Sequence, residues 1–218
     1  MLLKNQRKKI VEFGKKLVKS GLTTGTGGNL SFMDRSANLV AISPSGIDYD
    51  EMDEDDVVVM NMEAEIVDGR LKPSSETGFH IGLYRKRPDV SAVVHTHSPY
   101  ATTLACMRME IPAVHYLVGF SGSKVPVAPY ATFGTEALAE NVCNAIGDYN
   151  AVLMANHGLI AVGADLLRAF CAAEEIEFVA RVYYQAKNIG NPVILSDQEM
   201  EKVIKKFADY GQKKTKRL

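Results

Sequence analysis

Short apolar runs typical of β-strands alternate with amphipathic segments of helical period along this 218-residue chain. Residues 6–20 carry apolar side chains at near-helical spacing, whereas residues 92–97 and 151–156 read as buried strands. Neither an internal repeat nor a Pro/Ser-rich linker divides the chain. The order therefore predicts one α/β domain over residues 1–218, with a flexible basic tail at about 212–218. Hairpin signals favour a mixed or largely antiparallel central sheet covered by helices over a doubly wound parallel sheet.

Three local patterns give more specific expectations. The strand-like run Glu65–Val67 followed by Asp68-Gly69 suggests a β-hairpin, since Asp-Gly is a common two-residue turn. Pro73-Ser74-Ser75-Glu76 opens a predicted helix that Arg87-Pro88 ends. The acidic run 48–56 lacks the spacing of an EF-hand, so a solvated loop or helix is favoured there over a metal site.

Charge is almost balanced, with 25 Lys and Arg against 26 Asp and Glu and a formal net charge of −1. This balance argues against a protein that binds nucleic acid or anionic membranes through a general basic surface. No run approaches the roughly 20 apolar residues of a transmembrane helix, and no apolar signal core follows the basic amino terminus. We therefore expect a cytoplasmic protein that binds any anionic ligand through local groups.

The three cysteines, Cys106, Cys143 and Cys171, are odd in number and far apart in the sequence. This spacing fits neither a disulfide framework nor a zinc module of the Cys-x-x-Cys kind. With 46% hydrophobic and 23% charged residues, a chain of this length can bury a core without disulfides. The cysteines are therefore expected to be reduced and mostly buried.

His95 and His97 lie two residues apart at the end of an apolar strand. Alternate side chains of a strand share one face, so both imidazoles can point to the same side. Such a pair suits a divalent transition metal such as zinc, and two structural histidines are an equal alternative. His157 follows another apolar strand and precedes Gly158, so it can reach the same sheet edge as a third ligand.

The other two histidines fit a ligand role less well. His80 comes four residues after Glu76 on the predicted helix, where a packed or hydrogen-bonded histidine is the favoured interpretation. His115 adjoins Tyr116 and has no ligand spacing with the other histidines. Three histidines would leave a zinc ion an open position, as in catalytic sites. An ion bound in this way polarises carbonyl groups and stabilises oxyanions.

Proton transfer and anion binding also have candidates in the sequence. Glu76 is the best candidate for an acid or base, and its alternative is a carboxylate that only stabilises a helix N terminus. Hydroxyl and backbone N–H donors occur in three loops or helix starts, and together they can bind a phosphate. Neither GxGxxG nor GxxxxGK[ST] is present, which argues against a nucleotide-binding protein. The three donor sets are Gly28-Asn29, Ser45-Gly46 and Ser74-Ser75.

Five short motifs follow one another along the chain: Gly28-Asn29-Leu30-Ser31, Ser43-Pro44-Ser45-Gly46, Pro73-Ser74-Ser75-Glu76, His95-Thr96-His97 and Asn156-His157-Gly158. Their order and spacing resemble the class II aldolase and adducin family, and within it the L-fuculose-1-phosphate aldolases. The resemblance covers nearly the whole chain. It implies a single-domain class II aldolase-like fold with a central, largely antiparallel sheet.

The resemblance implies a zinc enzyme that reversibly cleaves a ketose 1-phosphate, of the L-fuculose 1-phosphate type, into dihydroxyacetone phosphate and a short aldehyde such as L-lactaldehyde. Glu76 would be the general base and acid on the dihydroxyacetone phosphate carbon, and a metal ligand when no substrate is bound. In an implied homotetramer, Tyr116 of a neighbouring subunit would protonate or orient the aldehyde oxygen, with Phe133 and Tyr210 shaping the aldehyde pocket. The resemblance assigns zinc to His95, His97 and His157, and phosphate to Gly28, Asn29, Ser45, Gly46, Ser74 and Ser75.

Two alternative functions stay open at this point. A sugar-phosphate 4-epimerase or a related lyase or decarboxylase could use the same metal site. The epimerases in this family typically carry Ser-Ser-Asp where this chain has Ser74-Ser75-Glu76, so the longer carboxylate favours an aldolase. A non-catalytic interaction domain like the adducin head has no need of three histidines and Glu76. The segment 117–124 and Asn156 differ from the fuculose enzymes and leave the aldehyde specificity open.

Overall fold

The apolar runs form the strands of one eight-stranded sheet in a computed structural model that describes residues 1–208. The strands are β1 (Asn29–Asp34), β2 (Leu39–Ile42), β3 (Val58–Met60), β4 (Ile66–Asp68), β5 (Ala92–Thr96), β6 (Val127–Ala128), β7 (Ala151–Met154) and β8 (Gly158–Gly163). The helices of the described residues are α1 (Lys4–Lys19), α2 (Thr77–Lys86), α3 (Pro99–Cys106), α4 (Glu136–Ile146), α5 (Leu166–Ile189) and α6 (Asp197–Ala208), with a 3₁₀ helix at Tyr116–Phe120.

The sheet is almost entirely antiparallel. Its strand order is β4-β3-β2-β1-β5-β8-β7-β6, and among the strands described here only β6 and β7 pair in parallel. Short connections join β1 to β2, β3 to β4 and β7 to β8, whereas β5 enters between β1 and β8 after helix α2. The predicted α/β architecture with a mixed, largely antiparallel sheet is confirmed.

Helices cover both faces of the sheet, which explains why the central strands are apolar at nearly every position. Helices α1, α3 and α5 pack on one face, and α2 and α4 pack on the other. In β5, Val94 belongs to the first apolar layer and Val93 to the second. Burying one such side chain stabilises the fold by about 1.5–3 kcal/mol, so these central strands form a rigid support for the polar residues at their ends.

The register of the central strands brings several polar residues to one end of the sheet. Asn29 at the start of β1 pairs with His95 near the end of β5, and His95 pairs in turn with Ile160 of β8. Because both pairings are antiparallel, the end of β5 lies beside the starts of β1 and β8. The turn between β7 and β8, which contains His157, therefore lies at the same end of the sheet as His95.

The hairpin predicted near residues 65–69 is present, but its turn lies elsewhere. Strands β3 and β4 are joined through residues 61–65 rather than turning at Asp68-Gly69. The Asn61 side chain accepts hydrogen bonds from the backbone N–H groups of Glu63 (3.0 Å) and Glu65 (2.9 Å). These hydrogen bonds fix the turn of the hairpin at residues 61–65, because an Asn side chain can replace backbone hydrogen bonds in a turn.

The expectation that the cysteines are mostly buried is wrong. Cys106 is exposed, and Cys143 and Cys171 are half-buried; all three are free. Cys106 is the last residue of α3, where the helix end reaches solvent, and this position explains its exposure.

No helix that the structure describes is both long and apolar enough to cross a bilayer. Tyr210 and the basic tail at 212–218 lie outside the described residues.

Candidate active site

Three histidines converge at the polar end of the sheet. His95 Nε2 and His97 Nε2 are 3.0 Å apart, and the His157 ring centroid lies 4.9 Å from that of His95 and 5.2 Å from that of His97. One ligand nitrogen from each ring lies within 4.8 Å of the other two. Within residues 1–208 this is the only group of His, Cys, Asp or Glu side chains arranged in this way to hold a metal ion.

The backbone fixes the orientation of the His95 ring, which is fully buried. His95 Nδ1 lies 3.0 Å from the carbonyl oxygen of Leu159 and donates a hydrogen bond to it, since that oxygen can only accept. The lone pair of His95 is then on Nε2, facing the other rings. Burial and neighbouring histidine charge lower the pKa values of His97 and His157 to about 4, so both are neutral and able to ligate at pH 7.

Glu76 is the fourth member of this cluster. It occupies the N-cap position of α2, yet its side chain makes no capping hydrogen bond. Glu76 Oε2 lies 3.2 Å from His95 Nε2 and accepts a hydrogen bond from Asn29 Nδ2 at 2.9 Å. Glu76 Oε1 lies 3.3 Å from His157 Nε2. The carboxylate therefore faces the histidines rather than the first turn of α2.

Opposing influences set the charge of Glu76. Burial is the largest and would raise its pKa. At the low pH where Glu76 titrates the histidines are protonated, and the hydrogen bond and charge of His95, the charge of His157 and the Asn29 hydrogen bond outweigh burial. Together they lower the pKa of Glu76 to about 2, so the side chain is an anion at neutral pH. Its Oε1 is buried without a hydrogen-bond partner, an arrangement that is costly unless a cation binds beside it.

The spacing of these atoms fits a small divalent cation. Ligand atoms about 2.0–2.1 Å from a tetrahedral zinc ion lie about 3.3 Å from one another. In this site the close pairs are His95 with His97 at 3.0 Å, His95 with Glu76 at 3.2 Å and His157 with Glu76 at 3.3 Å. Neutral imidazoles with one carboxylate are also a donor set that zinc and similar metals prefer. The residues present therefore fit such an ion.

An open cleft of about 330 Å³ joins this cluster to three polar loops. Glu76, His97 and His157 form one part of its wall. No Lys or Arg is found among the described residues that line it, so the cleft offers neutral donors to a ligand. All six residues predicted to bind phosphate line the cleft, namely Gly28, Asn29, Ser45, Gly46, Ser74 and Ser75.

Comparison with known proteins identifies the family to which this chain belongs. Residues 8–184 match the family described as Class II Aldolase and Adducin N-terminal domain. The chain belongs to the class II aldolase family. Class II aldolases are metal-dependent aldehyde-lyases, which agrees with the three histidines and the buried carboxylate at one end of the cleft.

Individual relatives narrow this assignment. The aldolase is 53% identical over 212 residues to the 5-deoxy-D-ribulose 1-phosphate aldolase of Bacillus thuringiensis serovar kurstaki, covering 97% of this chain and 100% of the relative. It is 38% identical over 206 residues to the L-fuculose phosphate aldolase of Escherichia coli K12, covering 94% of each. A solved L-fuculose 1-phosphate aldolase matches with a TM-score of 0.94 at 47% identity, covering 95% of this chain and 98% of the other. The predicted family and enzyme class are confirmed.

The aromatic residues predicted for the aldehyde end differ in their placement. Phe133 lines the cleft of the aldolase and is largely exposed. Tyr116 is half-exposed on the 3₁₀ helix, where its ring contacts His115 and Phe207, and it does not line the cleft of its own chain. Its role would require a neighbouring subunit and stays a prediction. Tyr210 lies outside the described residues and also stays a prediction.

Six residues that line the cleft received no role from the sequence, and three of them have polar side chains: Thr26, Tyr130 and Asn156. Thr26 lies in the glycine- and threonine-rich segment 23–29 together with Gly28. Its hydroxyl is a possible hydrogen-bond donor, and this signal could have identified Thr26 as a cleft residue. Asn156 has a φ of 55°, a left-handed conformation that Asn tolerates, and it accepts a 3.4 Å hydrogen bond from Arg108 Nε. Tyr130 follows β6, and only the tertiary structure brings it to the cleft.

Gly158 permits the close approach of the β7–β8 turn to the metal-ligand cluster. A Cβ at this position would meet the Thr96 carbonyl oxygen, and it would lie 3.1 Å from His97 Cδ2 and 3.2 Å from His95 Cε1. A side chain as small as a methyl group would therefore displace either the turn or the histidine rings.

We expect Gly158→Ala to destabilise the aldolase by about 1–3 kcal/mol, the usual cost of overpacking, and to reduce its bound metal per chain. Thermal unfolding and elemental analysis measure the two effects, and each kcal/mol corresponds to a Tm lower by roughly 2–4 °C. Gly190→Ala is a matched control, because a Cβ there meets nothing within 4 Å; its effect should stay within about 0.5 kcal/mol. Wild-type Tm and metal content in Gly158→Ala would contradict the expectation.

Proposed function

We propose that this aldolase holds a zinc ion at His95, His97 and His157 and reversibly cleaves a deoxyketose 1-phosphate into dihydroxyacetone phosphate and a short aldehyde. The observation that carries the proposal is the cleft itself. It joins a metal-ligand cluster with a buried carboxylate to several neutral hydrogen-bond donors. A phosphate bound by those donors would hold the reacting carbon of the substrate beside Glu76.

The chemistry is simplest in the direction of condensation. Glu76 takes a proton from the hydroxymethyl carbon of dihydroxyacetone phosphate, and the electron pair of the C–H bond passes into an enediolate. The enediolate carbon then forms a bond to the aldehyde carbon, and the aldehyde oxygen takes a proton from Tyr116 of a neighbouring subunit. When bound, a divalent metal ion supplies stabilisation of negative charge on ketone and enediolate oxygens. Cleavage is the same sequence reversed.

The geometry supports Glu76 as the group that moves the proton. Its carboxylate is ionised and can accept a proton, and its Oε1 has no hydrogen-bond partner to displace. The hydrogen bond from Asn29 to Oε2 limits the rotation of the carboxylate. A base held in one orientation loses less entropy in the transition state than a mobile one.

The aldehyde end of the cleft favours a substrate that ends in a methyl group. Ala131 and Phe133 line the cleft and offer apolar surface, and we propose that they face the aldehyde. A 5-deoxypentulose 1-phosphate would release acetaldehyde from this end, and L-fuculose 1-phosphate would release L-lactaldehyde. We propose 5-deoxyribulose 1-phosphate as the better substrate, because the relative with 53% identity over 97% of this chain carries that activity in its name.

A substrate panel tests this proposal. Purified enzyme is supplied with 5-deoxyribulose 1-phosphate, L-fuculose 1-phosphate and ribulose 5-phosphate, and the products are identified by NMR. We expect dihydroxyacetone phosphate with acetaldehyde or L-lactaldehyde from the first two, with the higher kcat/KM for the first. A product with the same carbon count as its substrate would instead show an epimerase. A higher kcat/KM for L-fuculose 1-phosphate would reverse the proposed order of substrates.

The proposal also covers the cellular location and the oligomeric state of the enzyme. We propose a cytoplasmic homotetramer whose active sites lie between subunits. The proposed role of Tyr116 requires this assembly, because its half-exposed ring lies outside the cleft of its own chain.

Ser75→Ala should raise the KM for the ketose phosphate about 10-fold and leave kcat within about twofold, because a hydrogen bond to a charged group contributes about 1.5–3 kcal/mol. Ser75 is exposed on the cleft wall, so losing its hydroxyl should not disturb the fold. Inorganic phosphate should also become a weaker competitive inhibitor. Ser36→Ala is the control, because Ser36 is an exposed serine that bonds only to Asp34. Equal KM values in the two variants would remove Ser75 from the phosphate site.

A further inference from the structure

His80 belongs to a buried hydrogen-bond chain behind Glu76 that the proposed reaction leaves without a role. His80 Nε2 lies 2.5 Å from Asn29 Oδ1, and Asn29 Nδ2 donates to Glu76 Oε2 at 2.9 Å. On the other side, His80 Nδ1 lies 2.6 Å from Ser31 Oγ, which lies 2.6 Å from the Tyr84 hydroxyl. His80 and Ser31 have no exposed surface, and Asn29 and Tyr84 are almost fully buried.

The carboxylate fixes the direction of each hydrogen bond in this chain. Ionised Glu76 can only accept, so the amide nitrogen of Asn29 faces Glu76 and the amide oxygen faces His80. Burial lowers the pKa of His80 to about 3, so the ring is neutral and must donate from Nε2 while accepting at Nδ1. The Ser31 hydroxyl then donates to His80 and accepts from Tyr84. A single arrangement of protons therefore satisfies every link.

The chain also connects two separate elements of the site. His80 lies four residues after Glu76, so both side chains project from the same side of α2. Asn29 lies at the start of β1, directly opposite His95. Phe79 stacks on the His80 ring at 4.7 Å and makes an edge contact with the His95 ring at 5.8 Å. His80 is thus held rigidly where α2 meets the end of the sheet that carries the metal ligands.

We propose that His80 is a positioning residue for the aldol reaction: it holds the Asn29 amide so that this amide aims the Glu76 carboxylate at the substrate carbon. The inference rests on the proposed role of Glu76 in proton transfer. A displacement of about 1 Å in such a group can cost on the order of 100-fold in rate, so a residue with no substrate contact can still set kcat. A purely structural His80 would affect stability and leave the kinetics of the folded enzyme unchanged.

Two amide variants separate these roles. In His80→Gln the amide nitrogen replaces Nε2 and can still donate to Asn29, whereas in His80→Asn the shorter amide replaces Nδ1 and reaches only Ser31. We expect His80→Asn to lower kcat between about 10- and 100-fold, with KM within about twofold of wild type. His80→Gln should recover kcat to within about threefold. Exchange of the hydroxymethyl hydrogens of dihydroxyacetone phosphate with D₂O should follow the same order, because it reports proton transfer alone.

Further measurements test whether a lower kcat comes from lost metal, weaker phosphate binding or a disturbed core. Metal content should equal wild type in both variants, since His80 makes no hydrogen bond to the metal ligands. Calorimetric binding of inorganic phosphate should stay within about twofold of wild type, because His80 bonds to only one of the six proposed phosphate residues, Asn29. Tyr84→Phe is the control for disturbance of the buried cluster, because it removes a hydroxyl from the same chain and leaves the His80–Asn29 bond in place; its kcat should stay within about threefold of wild type.

Equal kcat values in His80→Asn and His80→Gln would overturn the positioning role, as would a drop in Tyr84→Phe as large as that in His80→Asn. If Glu76→Gln kept wild-type exchange, the proposed function of Glu76 would fail first. Normal exchange in His80→Asn beside a slow Glu76→Gln would refute the His80 proposal alone.

Discussion

The variant His97→Ala is expected to lose its bound metal and at least about 100-fold in kcat. Even residues that only support metal ligands change metal affinity or activity by about 10- to 100-fold, and His97 supplies a ligand nitrogen itself. His97 is the best histidine to replace, because it lies on the exposed side of the cluster and its removal leaves no cavity in the core. His95, by contrast, is fully buried against Phe79 and the backbone of β8.

Elemental analysis of the purified protein and a dihydroxyacetone phosphate release assay measure the two effects. His115→Ala is the matched control for metal content, because His115 lies outside the cluster and accepts a hydrogen bond from the backbone of Leu117. Its metal content should equal that of wild type. Full metal content and normal turnover in His97→Ala would contradict the assignment of the metal site.

Glu76→Gln should keep the fold and the metal while kcat falls at least about 100-fold, the lower end of what a general acid or base contributes. The amide cannot take up the proton, yet it retains the shape of the side chain and an oxygen that can accept from Asn29. The histidines remain as metal ligands. The Tm should not fall, because the substitution removes a buried charge and no packing.

The readout that isolates this role is hydrogen exchange between D₂O and dihydroxyacetone phosphate in the absence of aldehyde. This half-reaction needs proton removal but no carbon–carbon bond formation. Exchange should be lost in Glu76→Gln and retained in Ser75→Ala at saturating ligand. Exchange at the wild-type rate in Glu76→Gln would assign proton transfer to another group.

The fold was largely predictable because its signals are local. Apolar runs bounded by turns predicted strands, and a helical period predicted α1, whereas the pairing of distant strands needed the structure. The hairpin between β3 and β4 shows the limit of such signals. Asp68-Gly69 has the composition of a turn, yet the Asn61 side chain places the turn earlier. Two competing turn signals cannot be ranked without the strand register.

The metal-ligand cluster was predictable for a different reason. His95 lies near the end of an apolar strand, and His97 and His157 each follow one; antiparallel pairing brings those strand ends together. Glu76 could not be separated from a helix-capping carboxylate, because only the structure shows that its side chain turns away from α2. The sequence favoured a packed or hydrogen-bonded His80, and the structure places it in a buried hydrogen-bond chain behind that carboxylate. Side chains that act across different elements have no signature in local sequence.

Metal-dependent release of dihydroxyacetone phosphate is the most direct test of the central claim. Wild-type enzyme is assayed with 5-deoxyribulose 1-phosphate as purified, after chelation and dialysis, and after one equivalent of zinc per chain is restored. We expect turnover to disappear on chelation and to return with zinc, with the metal bound at one ion per chain. Undiminished release of dihydroxyacetone phosphate by metal-free protein would contradict the claim.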